Sequence, residues 1–246
     1  MSPAGTLVIA GLGPGDDRLV TPEVTAALAE ATDIVGYGPY VARVPERTGQ
    51  ARHASDNREE IARAREALTL AASGRRVVVV SSGDPGVFAM AAAVFEALEG
   101  APHWHALDIR VLPGITAMLA AAAAAGAPLG HDFCALNLSD NLKPWALIEK
   151  RLRLAIEADL CIALYNPRSK ARPEGFERSL AVLRETCEAH RLIVFAQALA
   201  SPRQRVETVT LAEAQASMAD MHTVVIIGSS ATRRVGSFTY TPRGAR

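Results

Sequence analysis

Apolar positions along the chain fall into two rhythms. Short continuous runs, clearest in Leu7-Val8-Ile9-Ala10 and Val77-Val78-Val79-Val80, read as strands covered on both faces. Between them, apolar residues return every three or four positions, the spacing of helices with one buried face. In the first half, strands are expected over 7–10, near Ile34 and Val35, over 77–80 and over 109–112, with helices from Thr21-Pro22, over about 57–72 and over 87–98. Thr21 suits an N-cap, Pro22 suits the first helical position where a missing N–H costs nothing, and Gly74 suits a left-handed stop. The helix after Pro113-Gly114 runs into Gly126-Ala127-Pro128, a cluster that makes a natural boundary. Beyond it, strands are expected over 133–138, 160–165, 192–198, 206–210 and 223–227, and helices over 145–157 and 174–189. The fold class this implies is α/β: two α/β domains with largely parallel sheets, 1–127 and 128–246, and an active-site cleft between them.

Composition removes several classes of function. Of 246 residues, 49% are hydrophobic, yet the longest apolar stretch, 115–127, is Ala-rich and falls short of the roughly 20 residues of a spanning helix. It is expected to be a packed helix, with no membrane partner. Met1 to Gly5 lead into an apolar strand without the basic region and cleavage site of a secretory signal, so a cytoplasmic protein is expected. With 26 basic and 26 acidic side chains the formal net charge is zero, which argues against a nucleic-acid partner. Cys134, Cys161 and Cys187 are far apart and form no Cys-x-x-Cys pair, so they are expected to be reduced thiols. His103 and His105 flank Trp104 at strand spacing, but no Cys or carboxylate cluster completes a metal site, and no metal is expected.

Six turns carry candidate chemistry. The first, Gly11-Leu12-Gly13-Pro14-Gly15-Asp16, follows the first strand. A dinucleotide fingerprint would place its third glycine one residue later, open a helix directly and set an acid at the end of the next strand. Here Asp16 takes that glycine's place, the helix waits until Pro22, and Asp33 precedes the second strand. A phosphate loop is excluded too, since no Gly-Lys-Ser/Thr follows. What remains is either a tight loop or a backbone that something must approach closely.

The second turn, Ser81-Ser82-Gly83-Asp84-Pro85-Gly86-Val87, stands at the carboxyl end of strand 77–80, where open parallel sheets bind ligands. Asp84 either caps the following helix or faces a ligand. Thr116, in Pro113-Gly114-Ile115-Thr116-Ala117, has the same two options. Three later loops set cations just past strands: Tyr165-Asn166-Pro167-Arg168-Ser169-Lys170-Ala171-Arg172, Arg203-Gln204-Arg205, and Arg233-Arg234. Each could be a solvated loop, but three of them in a chain of zero net charge point to an anionic small molecule held by Arg forks.

In this order and spacing the turns resemble the tetrapyrrole methylase family over nearly the whole chain. The Gly-x-Gly-Pro-Gly turn, the Gly-Asp-Pro after strand 77–80, the Pro-Gly-x-Thr turn and the late strand ending in Gly228 carry the likeness. Val35-Gly36-Tyr37-Gly38-Pro39-Tyr40, the stretch 81–90, the run Leu136-Asn137-Leu138-Ser139-Asp140-Asn141-Leu142-Lys143-Pro144-Trp145, and the loop 165–172 narrow it to a branch that methylates and contracts a corrin precursor. The resemblance implies a homodimer that uses S-adenosylmethionine as methyl donor and a tetrapyrrole as substrate. It implicates Pro14, Gly83, Asp84, Val87, Thr116, Ala117, Leu164, Tyr165, Ala196 and Ile227 in donor binding, and Asn166, Arg168, Lys170, Arg172 and Lys143 in substrate binding. Asp84 is the expected general base. A cobalt-containing form of the substrate, a nicotinamide-dependent oxidoreductase and a non-catalytic tetrapyrrole carrier stand as alternatives.

Overall fold

The computed structural model describes residues 5–57, 59–169 and 172–244. The chain divides into two compact units, Met1–Ala117 and Met118–Arg246. In the first, β1 (Thr6–Gly11), α1 (Pro22–Glu30), β2 (Asp33–Tyr37), a short α2 (Gly38–Val41), β3 (Ala51–Ser55), α3 (Glu60–Ala72), β4 (Arg76–Ser81), α4 (Met90–Glu99) and β5 (Asp108–Leu112) follow in order. All five strands run parallel in one sheet, in the order β3-β2-β4-β1-β5. Side chains alternate between its faces. Leu7, Ile9, Val77 and Val79 share a core with residues of α3 and α4, whereas Val8, Ala10, Val78 and Val80 share one with Val24 and Leu28 of α1. Both faces of β4 are thus covered, which is why 77–80 has no polar position.

Local signals set the helix ends as the sequence predicts. Thr21 Oγ1 accepts the Val24 N–H at 3.3 Å, and Gly74 adopts φ 90° just after α3. Three features differ. Helix α4 begins at Met90, not at 87, because the Pro85-Gly86 turn and Phe88 with φ 53° keep the chain out of the helix until there. Trp104 and its histidines lie at a short 3₁₀ turn, Pro102–Trp104, and not on a strand. The edge strand β3 was not legible, since Arg52 and His53 interrupt its apolar pattern.

Helix α5 (Ala117–Ala125), expected to close the first domain, enters the second unit from Met118 onward. Then come β6 (Gly126–Ala127), β7 (Phe133–Asn137), α6 (Trp145–Glu157), β8 (Cys161–Tyr165), α7 (Gly175–Thr186), β9 (Leu192–Gln197), β10 (Arg205–Thr210), β11 (Thr223–Ile227), β12 (Arg233–Val235) and β13 (Phe238–Tyr240). The main sheet has the order β10-β9-β11-β8-β7. Here the expectation of parallel strands is corrected: β7 and β8 pair parallel, and the other three pairs are antiparallel. Strands β7, β8 and β9 are separated by α6 and α7, and helical crossovers keep direction. Among the described residues no α-helix follows β9; β10 turns back on it, and β11 inserts between β9 and β8 against both. A small second sheet, β12-β13-β6, completes the unit.

Helices α6 and α7 bury Ile148, Leu152, Phe176, Leu180 and Leu183 against Leu164, Phe195 and Ile227, with the Phe176 and Phe195 rings edge-on at 5.7 Å. Each such side chain contributes about 1.5–3 kcal/mol on burial. Among the described residues, no helix is long and apolar enough to cross a membrane.

Candidate active site

Strands β1 and β4 are neighbours, yet α1 and α4, which follow them, pack on opposite faces of the sheet. The carboxyl ends of two such strands in an open parallel sheet are the usual place for a ligand. Glycines line these ends. Gly13, at φ 65°, and Gly83, at φ 64°, exchange backbone hydrogen bonds of 3.1 and 2.9 Å. A Cβ on Gly11 would stand 2.6 Å from the Gly83 carbonyl oxygen and 2.7 Å from the Gly114 nitrogen. The turns after β1, β4 and β5 thus touch backbone to backbone, and side chains are excluded from the contact.

Asp84 secures this junction. Its Oδ1 accepts the Gly86 N–H at 2.8 Å and its Oδ2 accepts the Gly114 N–H at 3.1 Å, so one carboxylate ties the β4 turn to the β5 turn. It does not cap α4, whose N-cap is Ala89. Pro14 and Val87 are half-buried in the same turns, and Thr116 is buried where the β5 turn meets α5. No motif points to a further group that holds the glycine turn. Arg43, just past α2, donates to the carbonyl oxygens of Leu12, Gly13 and Gly15 at 2.6, 3.3 and 3.1 Å. Burial pulls the Arg43 guanidinium below its ordinary pKa, opposed by Asp17.

In the second unit the ends of β7 and β8 are joined in a similar way. Asn166, at φ 52°, donates from its amide to Asn137 Oδ1 at 3.0 Å, and Leu138 N–H donates to the Tyr165 carbonyl at 2.9 Å. The Tyr165 hydroxyl accepts the Met118 N–H at 2.9 Å and so caps the first turn of α5. Arg172 lies 4.0 Å from Asp140. Burial, then the charges of Arg151 and Arg172, pull the Lys143 ammonium below its ordinary pKa, with Asp140 opposing. Lys143 and Arg172 therefore share one cationic neighbourhood, which Arg151 extends. Arg168 is half-buried two residues past Asn166, and Lys170 lies outside the described residues.

Three expected donor contacts are fully buried strand residues. Leu164 and Ala196 lie near the carboxyl ends of β8 and β9, opposite Val225 and Val224 of β11. Ile227 pairs with Ile162 and Ile193, three positions further along β11 and so about 10 Å from the Ala196 level. The antiparallel register separates it from the other two, a displacement that a parallel reading of the sheet does not anticipate.

The cysteines carry no disulfide, and burial pushes the Cys134 and Cys187 thiols up. Cys161 is buried, its Sγ 3.0 Å from the Pro128 carbonyl oxygen.

A glycine-lined switch point on a parallel sheet, joined to a second mixed-sheet unit with a cationic loop, defines a class, and comparison with known proteins identifies it. Residues 6–215 match the tetrapyrrole (corrin/porphyrin) methylases, and the chain belongs to that family of methyltransferases. More particularly, it is 52% identical over 245 residues to the precorrin-3B C(17)-methyltransferase of Sinorhizobium sp, covering 97% of this chain and 96% of that one. The crystal structure of the methyltransferase CobJ superposes with a TM-score of 0.95 at 65% identity, over 97% of this chain and 100% of that one. The probable cobalt-factor III C(17)-methyltransferase of Salmonella typhimurium is 36% identical over 239 residues, 97% of this chain and 98% of that protein.

Proposed function

We propose that this chain transfers the methyl group of S-adenosylmethionine to carbon 17 of precorrin-3B and contracts the macrocycle to give precorrin-4 in cobalamin biosynthesis. The observation that carries the reading is the 52% identity to a precorrin-3B C(17)-methyltransferase along almost the full length of both chains. The lower identity of 36% to the cobalt-factor III relative favours the metal-free substrate. No resident metal enters the proposal.

The donor carries no phosphate. It needs backbone hydrogen bonds for its adenine and amino-acid ends and an apolar wall near the sulfonium. The glycine turns with Pro14, Gly83, Val87, Thr116 and Ala117 supply the first, and strand-end residues such as Leu164 and Ala196 the second. Carbon 17 belongs to an electron-rich pyrrole system and attacks the methyl directly, releasing S-adenosylhomocysteine. Positioning carbon, methyl and sulfur in line is the main task of the protein, and well-oriented reactants draw on as much as roughly 7–11 kcal/mol.

Contraction then requires loss of the proton from the hydroxyl on carbon 20, which leaves the ring with its methyl as an attached acetyl group. Asp84 is the base in this proposal. Each of its oxygens accepts one backbone N–H and keeps a second lone pair. Asn166, Lys143, Arg168, Lys170 and Arg172 receive the acetate and propionate arms. The proposal includes a cytoplasmic homodimer, supported by exposed apolar side chains such as Val235 and Phe238.

Purified protein mixed with precorrin-3B and S-adenosylmethionine should yield one S-adenosylhomocysteine for each tetrapyrrole that gains a methyl group in the mass spectrum. Calorimetric titration should show one S-adenosylhomocysteine per chain and no NAD. Tight NAD binding without S-adenosylhomocysteine binding overturns the proposal.

A further inference from the structure

Gly11, Gly13 and Gly15 leave the turn after β1 free to adopt many shapes, so holding it in one carries an entropy cost. Two contacts fix it. One is the exchange of backbone hydrogen bonds between Gly13 and Gly83. The other is a single guanidinium that spans three carbonyl oxygens of the turn: Arg43 Nη2 donates to Leu12 at 2.6 Å and to Gly15 at 3.1 Å, and Nη1 donates to Gly13 at 3.3 Å. In a trans peptide the carbonyl and the next N–H point opposite ways. Drawing the Leu12 oxygen to Arg43 therefore turns the Gly13 N–H away from it, and that N–H meets the Gly83 oxygen at 3.1 Å. The two contacts are halves of one arrangement.

Arg43 is itself held. It lies between Val41 and Val44, whose carbonyl oxygens accept Nη1 and Nη2 of Arg52 on β3 at 2.9 and 2.7 Å. Among the described residues, neither arginine has a carboxylate within salt-bridge distance, so both forks are turned on backbone. Bridging three oxygens of one turn calls for a planar fork with five donors; the ammonium of Lys, a compact point charge, reaches fewer. The turn so fixed carries Pro14 and touches the β4 turn that carries Asp84. Its Asp16, half-buried, donates its N–H to no described residue.

We propose that Arg43, with Arg52 behind it, is a positioning residue for the methyl donor: the pair holds the turn 11–16 in its binding shape before the donor arrives. The assignment rests on the methyltransferase reading. A preset turn spares the donor the ordering cost of binding, so Arg43 acts on donor affinity and not on the tetrapyrrole arms.

Arg43→Met keeps the stem and removes the fork. Calorimetry should show its Kd for S-adenosylhomocysteine raised about tenfold, and that of Arg52→Met about threefold, with precorrin-3B affinity within about twofold of wild type in both. Arg43→Lys should fall between wild type and Arg43→Met. In steady-state kinetics the loss should fall on the KM for S-adenosylmethionine and not on kcat at saturating donor. Guanidinium ion in the millimolar range should restore donor affinity to Arg43→Ala, and sodium at equal ionic strength should not. Unchanged donor affinity in Arg43→Met overturns the proposal, and so does loss of donor and precorrin-3B binding together, in step with melting temperature. Should Arg43→Met fail to fold, an Arg43→Lys protein that binds the donor as tightly as wild type overturns it equally. A wild type that binds no S-adenosylhomocysteine sinks the methyltransferase reading and this assignment with it, whereas a binding wild type beside an unaffected variant sinks the assignment alone.

Discussion

Asp84 ties two turns together and, in the proposed reaction, also serves as the base. Because each carboxylate oxygen accepts a backbone N–H, Asp84→Asn must turn its amide NH₂ toward the Gly86 or the Gly114 N–H. The NH₂ then faces either the exposed Gly86 N–H, which water can satisfy, or the half-buried Gly114 N–H, so the cost is at most about 1–3 kcal/mol. We expect Asp84→Asn to unfold at lower denaturant by no more than that amount, to keep S-adenosylhomocysteine binding, and to lose turnover. Urea denaturation, titration and a rate assay check the three parts, and full turnover would remove Asp84 as base. Residues of this kind are half legible. Gly-Asp-Pro after a buried strand points to a candidate site, but the partners of Asp84 lie in two turns that only the fold brings together. Arg43 had no signature at all, since its acceptors are backbone oxygens that any sequence provides.

At the scale of elements, the amino ends of three strands are locked by one buried acid. Asp33 opens β2 and is 1% exposed; its oxygens accept Arg75 Nε at 2.6 Å and Nη2 at 3.0 Å, and Thr32 Oγ1 at 2.7 Å, and His53 Nε2 of β3 lies 3.0 Å away. Burial pushes the Asp33 carboxyl up, but the hydrogen bonds from Arg75, Thr32 and His53 outweigh it and hold the pKa at about 2. A folded-state pKa below the unfolded value stabilises the protein above the unfolded pKa, near 4, and that stability is lost as pH falls toward 2. It amounts to about 2 kcal/mol. The stability gap between wild type and Asp33→Asn, measured by urea unfolding, should therefore shrink as pH falls from about 5 to about 2. A gap independent of pH would show that Asp33 acts by shape alone.

Elements were the most legible level of the structure. Continuous valines gave β4, and Thr21-Pro22 gave the start of α1, because those signals are local. β3 was missed because the polar side chains that mark it as non-apolar, Arg52 and His53, are the ones that pin it to its neighbours. Strand direction in the second sheet was misread for a different reason. Residue pattern reports burial, whereas direction is decided by whether a helix lies in the connection.

For the whole molecule, zero net charge conceals a separation of signs. Lys143, Arg151 and Arg172 gather in the second unit, and single exposed ion pairs contribute only about 0–1 kcal/mol, so affinity for a polyanion must come from several acting together. Lys143→Ala combined with Arg172→Ala should weaken precorrin-3B binding and leave S-adenosylhomocysteine binding nearly untouched. Raising salt should weaken the wild type more than the double variant, since screening acts on charges the variant lacks. Paired titrations at low and high salt check this, and equal affinities in the two proteins would make the loop merely solvated.

The central claim is the place where the methyl group goes. Precorrin-3B turned over with S-adenosylmethionine carrying a carbon-13 methyl should give one enriched carbon-13 NMR signal, from a methyl bound to carbon 17, in a product whose carbon 20 has become the carbonyl of an acetyl group. Enrichment at another carbon, or a methylated macrocycle that keeps carbon 20 in the ring, would contradict the account.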